Sequence, residues 1–205
     1  MGGAGIILDE VRNGHVENST VIGRDFGIVI VRTVNATVSG NSVSSSWSDG
    51  IRVLTSSNIS VTDNEISDNI SGIVVYLSSG VSLHRNRFVM NRIQAEDSGG
   101  SENSWDGGYP SGGNYWSDHQ VEDKCSGPNQ APCGIGGIPD GIGDTPRIID
   151  SNSIDRYPIV LLAGASPAPW WQLYWPLIIG PIAAVTLLVL VRRIWGRKLK
   201  LKAER

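Results

Sequence analysis

Trp105, Tyr109, Tyr115 and Trp116 fall within a short stretch rich in Gly, Asn and Asp. Flat apolar rings beside hydrogen-bonding groups suit the gripping of sugars, so this cluster is a candidate carbohydrate-binding surface. Turned inward, the same rings could plug the end of a repeat array, which needs a terminal cap. Both readings stay open at the level of sequence. Asp140, Asp144, Asp150 and Asp155 lie downstream. Carboxylates interleaved with Gly carbonyls are the hard oxygen donors that a structural Ca²⁺ takes, although the same residues also form Asx turns and no complete calcium-loop pattern is present. Cys125 and Cys133 are the only cysteines. They are a disulfide candidate, and a disulfide requires an oxidising compartment.

Other chemistry finds little support. His15, His84 and His119 are scattered, Met1 and Met90 are the only methionines, and soft copper ligands are correspondingly scarce. No phosphate loop, redox motif or Ser/His/Asp order appears, so the chain is not expected to be an enzyme by itself. A net charge of −3, with no strongly basic surface, argues against nucleic acid as a partner.

The elements that position these residues come from an internal repeat. Gly5-Ile-Ile-Leu8, Gly27-Ile-Val-Ile30, Gly50-Ile-Arg-Val53 and Gly72-Ile-Val-Val75 open four units spaced 22, 23 and 22 residues apart. Within each unit apolar residues alternate with polar ones in three short runs, the period of a half-buried strand. One unit cannot bury its inward residues, whereas stacked units about 4.8 Å apart share a continuous core. Asn41, Asn64 and Asn86 recur in register and are expected to stack as an amide ladder at a turn. The expected fold is all-β, a right-handed parallel β-helix of about four coils, with Ile6, Ile28, Ile51 and Ile73 in one interior file. A leucine-rich repeat competes through Ile59-x-Val61-x-x-Asn64-x-Ile66. The Gly-Ile-x-aliphatic third of each unit nevertheless reads as a strand rather than a helix. The outward file Ile7, Val29, Arg52 and Val74 is no catalytic surface, and Asp25, Asp49 and Asp68 read as turn formers.

After the repeats, the run Trp105-Asp-Gly-Gly-Tyr-Pro-Ser-Gly-Gly-Asn-Tyr-Trp-Ser-Asp118 is followed by Asp140-Gly-Ile-Gly-Asp-Thr-Pro146 and Asp155-Arg-Tyr-Pro158. Coils with Asn-rich turns followed by this cassette resemble archaeal cell-surface β-helix proteins related to the NosD family and to carbohydrate-binding and sugar-hydrolase repeats. The resemblance covers about residues 5–160. It implies a β-helix outside the cytoplasm and a C-terminal anchor, but the cassette itself carries no function to transfer.

The C-terminus sets the expected location. Residues 170–191 carry no formal charge, and a helix of that length would span a bilayer core of about 30 Å. Trp170, Trp171, Tyr174 and Trp175 gather at its start, and seven Lys/Arg follow it from Arg192. The positive-inside rule then places residues 192–205 in the cytoplasm and the remainder outside. Asn18, Asn35, Asn58 and Asn69 are glycosylation candidates on an exterior domain. The expected organisation is β-helix repeats over 1–97, a Gly/aromatic-rich cap over 98–160, a linker over 161–169, a transmembrane helix over 170–191 and a basic tail over 192–205. Met1-Gly-Gly-Ala-Gly-Ile is no signal peptide, so an export signal and further coils are expected upstream. The expected role is a membrane-anchored surface module for structure, adhesion or glycan binding. The partners are the membrane, through 170–191, and glycans or other surface proteins. The alternatives are a fragment of a polysaccharide hydrolase or lyase, and a NosD-like copper-maturation accessory protein.

Overall fold

In every unit the apolar residues alternate, and each unit folds into one winding of three strands. The computed structural model describes residues 3–130, 133 and 138–160. The first winding comprises β1 (Ala4–Asp9), β2 (His15–Glu17) and β3 (Thr20–Ile22). The second holds β4 (Phe26–Val31), β5 (Val34–Ser39) and β6 (Ser42–Ser44). The third holds β7 (Asp49–Leu54), β8 (Ser57–Thr62) and β9 (Glu65–Ser67). The fourth holds β10 (Ser71–Tyr76), β11 (Ser82–His84) and β12 (Arg87–Val89). A fifth begins with β13 (Ile93–Ser98) and regains the stack at β14 (Tyr115–Trp116), while β15 (Arg147–Ile148) and β16 (Ile154–Asp155) form a small antiparallel pair.

Equivalent strands stack in three parallel sheets, ordered β1-β4-β7-β10-β13, β2-β5-β8-β11 and β3-β6-β9-β12-β14. The chain is therefore a parallel β-solenoid of about four turns. The leucine-rich alternative fails because the third side of each winding is a strand, and no helix occurs among the described residues.

Register is set side chain over like side chain. Ile6 pairs with Ile28, Ile28 with Ile51 and Ile51 with Ile73, which is the expected interior file. Ile28, Ile51 and Ile73 are fully buried, whereas Ile6, in the first winding, is only partly so. Val16, Val38, Val61 and Leu83 line the second sheet, and Val21, Val43, Ile66 and Phe88 the third. Each such side chain contributes roughly 1.5–3 kcal/mol when fully buried, so the long files supply most of the driving force. The glycine that opens each unit has a steric cause. A Cβ added at Gly27 would lie 2.3 Å from Gly50 O, and one at Gly72 would lie 2.4 Å from Gln94 O.

Corners repeat as faithfully as strands. Glu10, Arg32, Thr55 and Leu77 occupy equivalent places with φ of 48–56°, although none is a glycine. Left-handed backbone is disfavoured for such residues. Here each donates its N–H to the winding above it, to Val31, Leu54, Tyr76 and Ser98 O respectively, so the ladder runs unbroken through the bend.

Repeats and cap are not separate bodies. The described residues as far as Val160 form one compact unit, with β14 of the cap stacked directly on β12 of the solenoid. Among the described residues no helix is long and apolar enough to cross a membrane. The expected span at 170–191, with its linker and tail, lies outside the described residues.

Candidate functional site

At the last winding the inner files change chemistry. Asp97 takes the place held by Val75 one winding earlier, and its carboxylate accepts from Trp105 Nε1 at 3.0 Å, Asn103 Nδ2 at 3.0 Å and Ser153 Oγ at 2.7 Å. Trp116 continues the Ile66–Phe88 file, its ring stacked on Phe88 at 4.4 Å and 12°. Its Nε1 donates to Asp155 Oδ2 at 2.8 Å. Asp155 is fully buried and also accepts from Asn114 N at 2.7 Å and Tyr157 N at 3.1 Å. Burial pushes its carboxyl up to about 6, against the pull of these three donors.

The aromatic cluster therefore divides. Trp105 and Trp116 are 1% and 2% exposed and plug the solenoid, the second of the two readings of these rings. Tyr109 is 37% exposed and leans on Tyr157, while Tyr115 is half-buried under the Arg87 guanidinium, 5.2 Å from its ring centroid. The four do not form one platform.

The expected amide ladder is present and longer than the repeat foretold. Asn41 Nδ2 donates to Asn64 Oδ1 at 2.9 Å, Asn64 to Asn86 at 2.9 Å, and Asn86 to Asn114 of the cap at 3.0 Å. Each member also donates to a strand carbonyl below it, Val16, Val38, Val61 and Leu83 respectively. A second ladder, which sequence reading missed, joins Asn69 Nδ2 to Asn91 Oδ1 at 2.9 Å. At a third corner Val11, Thr33 and Ser56 N–H groups donate to Thr33, Ser56 and Ser78 hydroxyls. Asn69 is 4% exposed, accepting from Ser46 N–H on one side and donating to Asn91 Oδ1 on the other. Asn18, Asn35 and Asn58 stand exposed at left-handed corners, where a glycan meets no obstacle from the core.

The four downstream carboxylates do not converge. Asp140 accepts from Gly127 and Ile142 N–H, Asp144 from Lys124 and Cys125 N–H, and Asp150 from Asn152 and Ser153 N–H, while Asp155 sits in the plug. Asp140 and Asp150 form Asx turns with residues two or three on, whereas Asp144 holds the distant Lys124–Cys125 segment, so the four serve separate places in the fold. Cys125 and Cys133 are joined by a disulfide with Cα atoms 4.7 Å apart.

Comparison with known proteins identifies the family. A family model described as NosD, periplasmic copper-binding protein, matches residues 1–121. The chain belongs to the NosD family. No curated protein matches this NosD-family chain. Among solved structures it is similar to the Azotobacter vinelandii mannuronan C-5 epimerase AlgE6 A-module, at 23% identity and a TM-score of 0.34. The match covers 47% of this chain and 34% of that module, so the chain spans about a third of its length.

The family description raises copper, and the donor set does not fit it. His15 and His84 lie on one sheet three strands apart, roughly 14 Å at ordinary strand spacing. His119 engages Thr145 O, and Met90 stands alone on a corner. Among the described residues the single gathering of three metal-capable groups is Cys125, Cys133 and Asp144, where the sulfurs are bonded to each other and offer no thiolate. Copper chemistry is therefore assigned to no residue.

Two features of the NosD-family surface escaped sequence reading. One is a charged belt where the third and fourth windings meet the cap. Arg85 grips Asp63 with two bonds of 2.8 Å, holding that carboxyl below its usual range. Arg156 grips Asp106 at 2.7 and 2.9 Å. Burial works to raise the Asp106 carboxyl, but Arg156 and the Gly108 N–H outweigh it and hold it low. His84 lies between these pairs electrostatically. Burial first, and Arg85 second, depress its basicity, and its buried Nδ1 has no partner. The groups with shifted ionisation thus gather at this junction. Arg85 and Asp63 tie the third winding to the fourth, while Arg156 and Asp106 tie two segments of the cap together.

The other feature is Trp47, 75% exposed on the corner where the second winding spends its extra residue. An open recess of about 520 Å³ lies beside it, lined by Ser45, Asp68, Ile70, Met90 and Arg92 among others. Its only forewarning in sequence was the 23-residue spacing between Gly27 and Gly50.

Proposed function

We propose that this chain is an extracytoplasmic β-helical surface module, tethered through residues 170–191, that contacts glycans or neighbouring surface proteins along its sides. The observation that carries this reading is the plug. With Trp105, Trp116 and Asp155 buried in the closed end, the carboxylates and rings best suited to chemistry serve the fold, and the lateral surface is what remains for contact. Membership in a family described as periplasmic supports an exterior location, as do the disulfide and the basic tail after the apolar stretch.

The hydrolase or lyase alternative needs paired free carboxylates on one face. The outward file Ile7, Val29, Arg52, Val74 and Glu96 offers one, and Glu96 accepts from Ser71 Oγ at 2.9 Å. The copper-accessory alternative draws on the family description alone. Protease treatment of intact cells expressing the full chain, followed by co-sedimentation with purified cell-wall polysaccharide, tests the proposal. Digestion from outside and co-sedimentation are expected. A chain protected in intact cells would overturn the exterior location.

A further inference from the structure

Most arginines of the solenoid have a carboxylate partner: Arg32 with Asp9 and Glu10, Arg52 with Asp49, Arg85 with Asp63, Arg87 with Glu65. The corner that carries Trp47 is different. Trp47 N–H donates to Arg24 O and Ser48 N–H to Asp25 O, so the second winding's corner lies directly on the first winding's Arg24 and Asp25. On the other side Asp68 and Arg92 line the same recess as Trp47. None of these four charged side chains is in an ion pair or a side-chain hydrogen bond among the described residues.

We propose that this corner is a binding site for a neutral pyranose of a glycan chain, with Trp47 as the stacking platform. The proposal rests on the glycan-contact reading above and gives it a location. An indole face open to solvent matches the apolar C–H face of a hexose ring, and the large recess beside it leaves room for one. Hydroxyl groups at the ring edge both donate and accept, so they need acceptors and donors together. Within the recess Asp68 accepts, while Arg92 donates. One cation against one anion leaves the recess without net charge, which favours a neutral sugar over a uronate. A protein partner would need about 800 Å² of matched surface, whereas Trp47, Ile70 and Met90 make a short apolar strip within polar residues.

Calorimetric titration of the full chain in detergent with hexasaccharides of glucose, mannose, N-acetylglucosamine and a uronic acid tests the site. Binding of a neutral hexasaccharide at millimolar concentration is expected. It should be weakened roughly tenfold or more by Trp47→Ala, in keeping with the weight of a central aromatic contact, and largely kept by Trp47→Phe. Arg92→Ala should weaken it several-fold. Because Trp47 is exposed, its variants should unfold at the wild-type temperature, which separates lost binding from lost fold. Neutral-sugar binding unchanged in Trp47→Ala would overturn this site and leave the glycan-contact function standing. Binding of the uronate alone would overturn the assigned sugar class. No binding of any sugar would overturn both the site and the glycan-contact reading.

Discussion

Trp116 donates its indole N–H to Asp155 across 2.8 Å, and both side chains are buried. This bond ties the last inward ring of the third sheet to the β15–β16 pair, close to the end of the described chain. It sits where the Asn ladder also ends, since Asn114 N–H donates to the same carboxylate. Apolar stacking, the amide ladder and the cap thus share one buried acid.

Removing that acid should unseal the end. Asp155→Ala leaves the Asn114, Trp116 and Tyr157 donors without an acceptor. Buried donors without partners cost about 1–3 kcal/mol each before relaxation, so a loss on the order of 3–5 kcal/mol is expected. Thermal unfolding followed by circular dichroism measures it. Trp116→Phe keeps the stack on Phe88 and should lose less.

The same residue predicts a pH dependence of definite sign. With the folded carboxyl near 6 and the unfolded one near 3.8, the folded state binds the proton more tightly between these values. Asp155 therefore favours the fold most below about pH 4, and that contribution fades as pH rises through 6. The whole span is about 3 kcal/mol. The carboxylates of Asp63 and Asp106, held low by arginine, work in the opposite direction as pH falls. The difference between wild type and Asp155→Asn isolates the effect. From pH 7 to pH 4, wild type should gain stability relative to the variant.

Within the ladder, Asn64 bonds on both sides. Asn64→Ala strips the acceptor from Asn41 and the donor from Val38 O, and a loss of about 2–4 kcal/mol is expected. Ser60→Ala, on the outward face of β8, should stay within about 0.5 kcal/mol. Chemical denaturation of both variants provides the comparison.

Glycan occupancy should follow burial. In a host that glycosylates sequons, peptide mass spectrometry of the folded chain should find modification confined to Asn18, Asn35 and Asn58, with Asn69 bare. A fully occupied Asn69 on a cooperatively folded chain would contradict the second ladder.

Much of the fold was legible because the repeat multiplies its own signal. A Gly-Ile-x-aliphatic opening seen once is weak, but four in register predict three parallel sheets, and Asn41, Asn64 and Asn86 identify their corner. What escaped was whatever breaks the period. Asn114 ends the ladder but lies 28 residues after Asn86, because the cap supplies it from a longer excursion. Asn69 resembled a glycosylation acceptor, since its sequon is local while its partner Asn91 is a winding away. Asp155 resembled a calcium ligand, because sequence lists a carboxylate without showing which N–H groups converge on it. Trp47 left its mark only as one extra residue of spacing.

Copper binding separates this chain's residues from its family's description. Titration of the full chain with Cu(I) and Cu(II) under non-reducing conditions should show no site tighter than the micromolar range. The three histidines are too dispersed, and the two sulfurs are consumed by each other.

The stacked windings are tested most directly by removing one. Deleting residues 50–71 joins Asp49 to Gly72, and Asp49 and Ser71 are register partners, so a whole winding leaves without disturbing the one above or below. Circular dichroism and thermal melting of this variant should show the same β-rich spectrum and a single cooperative transition, whereas deleting residues 50–60 should abolish both. Loss of cooperative folding on removal of the complete winding, or its survival after removal of half of one, would contradict the account.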